Sequence, residues 1–225
     1  MREVTLTFDN GPDEATTPRV LDVLRRRGIR ATFFVVGNRL ADPARRALMA
    51  RAHAEGHWIG NHSFTHQGPL GARTDRGHAG AEIAMTEALI RPFAHPDRLF
   101  RPVGGGGRIG RHLLSAEAAL HLQENRQTVA LWSAVPGDWK DAEGWPEVAF
   151  AQCMAQARPV LVLHDIAGGA MAHLDALLGR LADAGATFAQ EFPDAVVPMR
   201  RGVATPGFDA HVMPEGGPPA ECRAA

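Results

Sequence analysis

Short apolar runs alternate with helical stretches along most of this chain. "VTLTF" has the β-branched and aromatic make-up of a strand. "TTPRVLDVLRRRG" repeats its apolar residues at helical spacing, with Thr17 as the expected N-cap, Pro18 in the first turn and Gly28 at the stop. "ATFFVVG" predicts a second strand, and "DPARRALMARAHAEG" a second helix that again opens on a proline and closes on a glycine. The strand "HWIG", a glycine-containing loop and a helix near "AEIAMTEALI" come next. They are followed by the strand "RLFR", a helix around "RHLLSAEAALHL", the strand "TVALWS" and a helix after Trp145-Pro146. The apolar "VLVLH", the helix "AMAHLDALLGRLADAG" and the strand "ATFAQ" complete the series. Such alternation implies parallel strands and an α/β architecture. About seven strand–helix units fit an imperfectly closed, distorted (β/α) barrel better than an open sheet. Residues 1–197 are expected to form one catalytic domain with no internal repeat or linker. From Pro198 the periodicity fades, and 198–225 reads as a C-terminal tail or surface strap.

Composition narrows the class. A chain of 225 residues with 45% hydrophobic content can bury one sizeable core. Lys+Arg at 24 against Asp+Glu at 25 leaves no basic excess for a nucleic-acid surface. No apolar run is long enough to span a bilayer. The first strand begins within a few residues of Met1, so the reading expects no signal peptide and a cytoplasmic location. Cys153 and Cys222 are too few for a disulfide framework and lack metal-ligand spacing, which fits a reducing compartment.

Polar residues then collect where the strands end. In α/β sheets and barrels, ligands bind beyond the carboxyl ends of the strands. Asp9 and Asn10 end the first strand, before Gly11-Pro12. His62 and His66 follow "HWIG", Arg101 ends "RLFR", Asp138 and Trp139 follow "TVALWS", and His164 ends "VLVLH". Taken singly, each has a bland account. Asp, Asn, Gly and Pro are ordinary turn residues, Arg101 and Asp138 could form a plain salt bridge, and Trp139 could be core. The pair His62/His66 in "NHSFTH" is four apart, so on a helical turn both imidazoles would face one cation, though chance alone also gives this spacing. Five segments meeting on one rim make the bland accounts jointly hard to sustain. His53 and His57 share the spacing but precede "HWIG", at the far end of the barrel. They and the remaining histidines are read as surface residues.

The segments "TFDNGP", "NHSFTH", "FRPVGG", "GDW" and "VLVLHD", in this order, resemble the five motifs of the polysaccharide deacetylases, the family-4 carbohydrate esterases. Their shared region is named after the rhizobial chitooligosaccharide deacetylase. The resemblance runs from about Val4 to Gln190 and implies a distorted (β/α) barrel. It also implies metal-dependent removal of an N- or O-linked acyl group from a sugar. By that resemblance Asp9 is the general base, Arg101 orients it, His164 is the acid and Asp138 is its carboxylate partner. Trp139 is a hydrophobic wall, and the backbone N–H of Gly104 is an oxyanion donor. His62 and His66 are ligands of one divalent metal, Zn²⁺ by its preference for neutral imidazole.

The chain departs from the family pattern at several points. Asn10 stands where the family has a second aspartate as third metal ligand. Val103-Gly104 replaces Pro-Tyr and runs into Gly105, Gly106 and Gly107, and the chain has no tyrosine. Val135 and Val162 replace an acidic residue and a leucine. The expected substrate is therefore an N-acylated amino sugar or short oligosaccharide. The alternatives are a small non-sugar N-acyl compound, or a catalytically weak carbohydrate-binding protein on the same scaffold.

Overall fold

The structure, a computed structural model, describes residues 2–73 and 75–214. Eleven strands occur among them: β1 (Arg2–Asp9), β2 (Thr32–Val35), β3 (Trp58–Asn61), β4 (Leu99–Phe100), β5 (Leu114–Ser115), β6 (Thr128–Val129), β7 (Val160–His164), β8 (Ala186–Ala189), β9 (Met199–Arg200), β10 (Val203–Ala204) and β11 (Val212–Met213). The helices are α1 (Thr17–Arg27), α2 (Pro43–Ala54), α3 (His78–Ile90), α4 (Ala116–Glu124), α5 (Trp145–Met154) and α6 (Leu174–Asp183).

β1 is the hub. From Val4 to Asp9 every residue is buried, the signature of a strand covered on both faces. It pairs in parallel with β2, with β7 through Thr5–Asp9, and with β8 through Arg2–Thr5. The sheet continues in parallel through β3, β4 and β6, then antiparallel through β9 and β10. Seven strands (β1–β4 and β6–β8) are thus mutually parallel, as the alternation implied.

Closure is narrow. Of the expected strand "TVALWS", only Thr128–Val129 keeps regular pairing. The chain beyond it swings over to β7, where Ala134 and Leu161 form a single parallel bridge. The Ala134 N–H donates to the Val160 carbonyl at 3.0 Å, and the Val162 N–H donates to the Ala134 carbonyl at 3.0 Å. This joins the two ends of the parallel run and makes a distorted barrel.

Local chemistry explains most element ends. α1 stops at Gly28, whose φ of 64° is left-handed. α2 starts after Asp42, whose carboxylate accepts the Ala44 N–H, and α4 starts after Ser115, which accepts the Ala118 N–H. Two expectations are corrected. Thr17 is inside α1 and not its cap, because its hydroxyl is held at 2.5 Å by Asp165. The helix expected from "RHLLS" begins only at Ala116, because Leu114 and Ser115 pair in parallel with β11.

The segment after Pro198 is partly woven into the fold. β9 pairs with β6, β11 pairs with β5, and Phe208 is buried between them in sequence. Residues 215–225, including Cys222, lie outside the described residues. No described helix is long and apolar enough to cross a membrane.

Trp145 at the start of α5 is fully buried, and its indole N–H donates to the Ala170 carbonyl at 3.1 Å. Trp145→Ala should lower unfolding free energy by about 3–5 kcal/mol in urea titration. Leu120→Ala, at a side chain 55% exposed, should change it by less than ~0.5 kcal/mol.

Candidate functional site

Strand register builds the site. Asp9 and His164 are direct partners in the β1–β7 ladder, so their side chains emerge next to each other where both strands end. Asn61 closes β3 opposite Phe100, and the chains on either side deliver His62 and Arg101. The Arg101 N–H bonds the Asn61 carbonyl at 2.9 Å, which locks these two segments together.

Arg101 is completely buried. Its Nη1 donates to Asp9 Oδ1 at 3.0 Å and to Thr7 Oγ1 at 2.6 Å. Nε and Nη2 donate to the Ala130 and Leu131 carbonyls, at 3.1 and 3.0 Å. Burial pulls the guanidinium below its ordinary value, and the charge of Asp9 opposes that shift. The bland reading of Arg101 as a simple ion pair misses that four of its five side-chain N–H groups are bonded.

His62 is also buried, and its Nδ1 lies 2.8 Å from the Arg101 carbonyl. A carbonyl only accepts, so Nδ1 carries the hydrogen and Nε2 keeps a free lone pair. That Nε2 is 3.7 Å from Asp9 Oδ2. The His66 ring centroid is 4.9 Å from that of His62. Burial holds both imidazoles below the ordinary histidine value, His66 down to about 3, so both are neutral at pH 7.

The helical turn expected for this pair is not what brings it together. Ser63 and His66 have φ of 66° and 56°, a left-handed path that no helix follows. The path is held by polar residues that the sequence did not flag. Asn61 Oδ1 accepts the Ser63 N–H at 2.9 Å, and Ser63 Oγ accepts the His66 N–H at 3.2 Å. Buried Glu82 of α3 accepts the N–H groups of Phe64 and Thr65 and the Thr65 hydroxyl.

Asp138 embraces His164. One oxygen meets Nδ1 and the other accepts the backbone N–H, both at 2.8 Å. Burial disfavours the His164 imidazolium, but the hydrogen bond and charge of Asp138 outweigh it and raise the group above its ordinary value. Trp139 stands edge-on to the His164 ring at 4.8 Å and is 39% exposed, so it is a wall of the site rather than core.

Asp9, Asn10, His62, His66, Gly104, Trp139 and His164 line one cavity of about 200 Å³. Val135 and Val162 line it too, as does Trp132, which sequence reasoning passed over because it sits inside an apolar strand pattern. The Trp132 indole donates to the Gly107 carbonyl at 2.8 Å and packs on Gly104. Gly105, Gly106 and Gly107 have φ of 57°, 89° and 83°, left-handed backbone that favours glycine.

The donor set fits a cation. Asn10 has φ of 74°, and its Oδ1 is buried with no hydrogen-bond partner among the described residues. An orphaned amide oxygen beside two neutral imidazoles is costly unless something electropositive meets it. No group of three His, Cys, Asp or Glu donors occurs at metal-holding distances among the described residues, and the orphaned Asn10 Oδ1 is a donor of a different kind that lines the same cavity.

His53, His57 and the other histidines stay outside the cavity. His57 is not a surface residue as expected. It is 4% exposed, and its Nδ1 accepts the Ala31 N–H at 3.1 Å.

The sequence model of the polysaccharide deacetylases matches residues 1–124. The chain is 33% identical to the peptidoglycan-N-acetylmuramic acid deacetylase PdaC of Bacillus subtilis (strain 168), over 81% of this chain and 36% of that protein. It is also 33% identical to the chitooligosaccharide deacetylase of Bradyrhizobium sp. (strain ANU 289), over 73% of this chain and 71% of that one. The chain thus spans little more than a third of one curated relative and most of the other. A solved family 4 acetyl xylan esterase from Clostridium thermocellum, in complex with a cobalt ion, superposes with a TM-score of 0.67 at 29% identity, covering 84% of this chain and 87% of that one. The fold, the matched residues and these relatives agree: this chain belongs to the polysaccharide deacetylase family of hydrolases.

Proposed function

We propose that this chain hydrolyses the N-acetyl group of an amino sugar within an oligosaccharide, using one divalent metal ion. The observation that carries the reading is the β1–β7 register, which sets the carboxylate of Asp9 beside the imidazole of His164 at the mouth shared with two neutral histidines. A protein that only bound sugar would have no need for such a pair. The curated relatives named above are deacetylases of peptidoglycan and chitooligosaccharides, and nothing among them favours a small non-sugar amide.

His62 Nε2, the His66 imidazole and Asn10 Oδ1 are the groups that would hold the ion, with Zn²⁺ preferred because both nitrogen donors are neutral. When bound, the ion supplies Lewis acidity, polarising the acyl carbonyl and acidifying a water. Asp9, steadied by Arg101, takes a proton from the attacking water. The Gly104 N–H donates to the oxygen that gains charge as the carbonyl carbon becomes tetrahedral. His164, whose protonated form Asp138 favours, gives a proton to the departing amine nitrogen. Trp139 shields that proton transfer from bulk water.

The reading is tested by metal analysis together with acetate release from chitooligosaccharides and peptidoglycan fragments. The parent should carry about one zinc per chain, and His66→Ala should lose both zinc and turnover. A His66→Ala protein with full metal content would place the ion elsewhere.

The pH profile tests the acid. His164 must be protonated to act and its value is raised, so activity should be present below that value and fall as pH rises through it. Asp138→Asn removes the group that holds the proton, and the alkaline limb should move to lower pH. His164→Ala should cost about 10²–10⁴ in kcat and abolish the limb. An unchanged limb in Asp138→Asn would assign it to another group.

Asn10 makes the ion weaker-held than a carboxylate would, since a neutral oxygen contributes no charge in a partly dry cleft. Asn10→Asp should tighten zinc by about tenfold, or ~1.4 kcal/mol. Activity at saturating zinc should stay within about tenfold of the parent. Equal affinity, measured by chelator competition, would mean that Asn10 is not a ligand. Parent and Asn10→Asp proteins that both bind zinc without releasing acetate would favour the weak binding protein instead.

A further inference from the structure

We propose that Asp165 is a positioning residue, a buried clamp that fixes the turn carrying Asp9 and Asn10. None of the proton transfers above uses it. It is nevertheless 1% exposed, at the end of β7 one residue past His164.

The first observation is steric. Gly11 follows Asn10 and does not have positive φ, so its backbone does not itself demand glycine. What demands it is Asp165. A Cβ on Gly11 would lie 2.2 Å from one carboxylate oxygen of Asp165, 2.3 Å from the other and 2.4 Å from its Cγ. The carboxyl group lies flat against the backbone of the turn, and a methyl group could enter only by moving one or the other.

The second observation is a relay of hydrogen bonds. The Thr17 hydroxyl donates to Asp165 Oδ2 at 2.5 Å and accepts the Asp13 N–H at 2.7 Å. The Thr17 N–H returns to the Asp13 carbonyl at 2.9 Å. Asp165 therefore grips the turn at both ends: by contact at Gly11, and through Thr17 at Asp13. On the far side the Gly11 carbonyl accepts the Val36 N–H at 3.1 Å, so the turn is wedged between β7 and β2.

Asn10 sits inside this wedge with φ of 74°, a left-handed conformation that asparagine tolerates better than most residues and that the wedge holds in place. Residues that orient metal donors from behind commonly cost 10–100-fold in metal affinity when removed. Asp165 would act in this way on Asn10 and, through the same turn, on Asp9. This step rests on the metal-dependent reading above, and its test separates the two.

Zinc affinity is measured by competition with a chromophoric chelator, and amide exchange over residues 9–17 is followed in metal-free protein. Asp165→Ala should weaken zinc by about 10–100-fold and speed exchange at Asp13, with urea midpoints reporting global stability separately. Asp165→Asn keeps the shape and the acceptor for Thr17, and should restore most of the affinity. A merely structural role would move stability without this split. If Asp165→Ala proves too unstable to purify, Thr17→Val breaks the same relay from the other side, with Thr17→Ser as its restoring partner. Folded Asp165→Ala or Thr17→Val proteins with parental zinc affinity would overturn the proposal, whether or not exchange is faster. Weakened zinc binding in these variants, alongside a parent that binds zinc but releases no acetate from any sugar, would sustain the clamp and overturn the deacetylase reading.

Discussion

A guanidinium sealed from water inside a barrel needs partners for its buried donors, and supplying them organises this site. Arg101 is matched by two strand-end carbonyls, the Thr7 hydroxyl and Asp9, with the face of Phe34 4.1 Å away. Removing one partner of such a buried pair strands a charge at a cost of about 3–5 kcal/mol. Because Arg101 takes Oδ1 of Asp9, the other oxygen is the one turned toward His62. Because the backbone of Arg101 takes the Nδ1 hydrogen of His62, the opposite nitrogen is the one left for a ligand. One residue thus sets the orientation of both a carboxylate and an imidazole.

The rest of the rim is built from backbone that ordinary propensity opposes. Asn10, Ser63 and His66 are non-glycine residues at positive φ, and Gly105 to Gly107 extend the theme. Glycine takes such φ freely and asparagine readily, so Ser63 and His66 carry most of the cost, and both loops are held by their neighbours. Asn61, Ser63 and Glu82 hold the histidine loop, and Trp132 holds the glycine loop. The two environments push in opposite directions: burial lowers His66 to about 3, and the hydrogen bond and charge of Asp138 raise His164 against its burial.

Much of this could be read before any coordinates. Strand ends are legible because a strand buried on both faces carries apolar and β-branched residues and stops at an ionisable side chain, as at Asp9 and His164. The residues bearing chemistry were found because they sit at those stops. Their supports were not, for physical reasons. Glu82 lies mid-helix, where a carboxylate usually means solvent, and Trp132 is hidden in an apolar pattern. Thr17 looked like a helix cap because nothing local reveals a partner 148 residues away. The histidine spacing led to the right pair through the wrong local geometry. The strands after Pro198 are two residues each, too short to show a period.

The placement of β1 also bears on how the chain is made. β1 precedes every strand it pairs with, and two of its three partners, β7 and β8, are the last parallel strands along the described chain. Until Val160 emerges, β1 can pair only with β2, and one of its edges stays open. Such long-range pairing slows folding and leaves an apolar strand exposed to other chains meanwhile. Asp9 and His164 cannot meet before that pairing forms. The last strands to join are therefore what convert a growing open sheet into a working pocket.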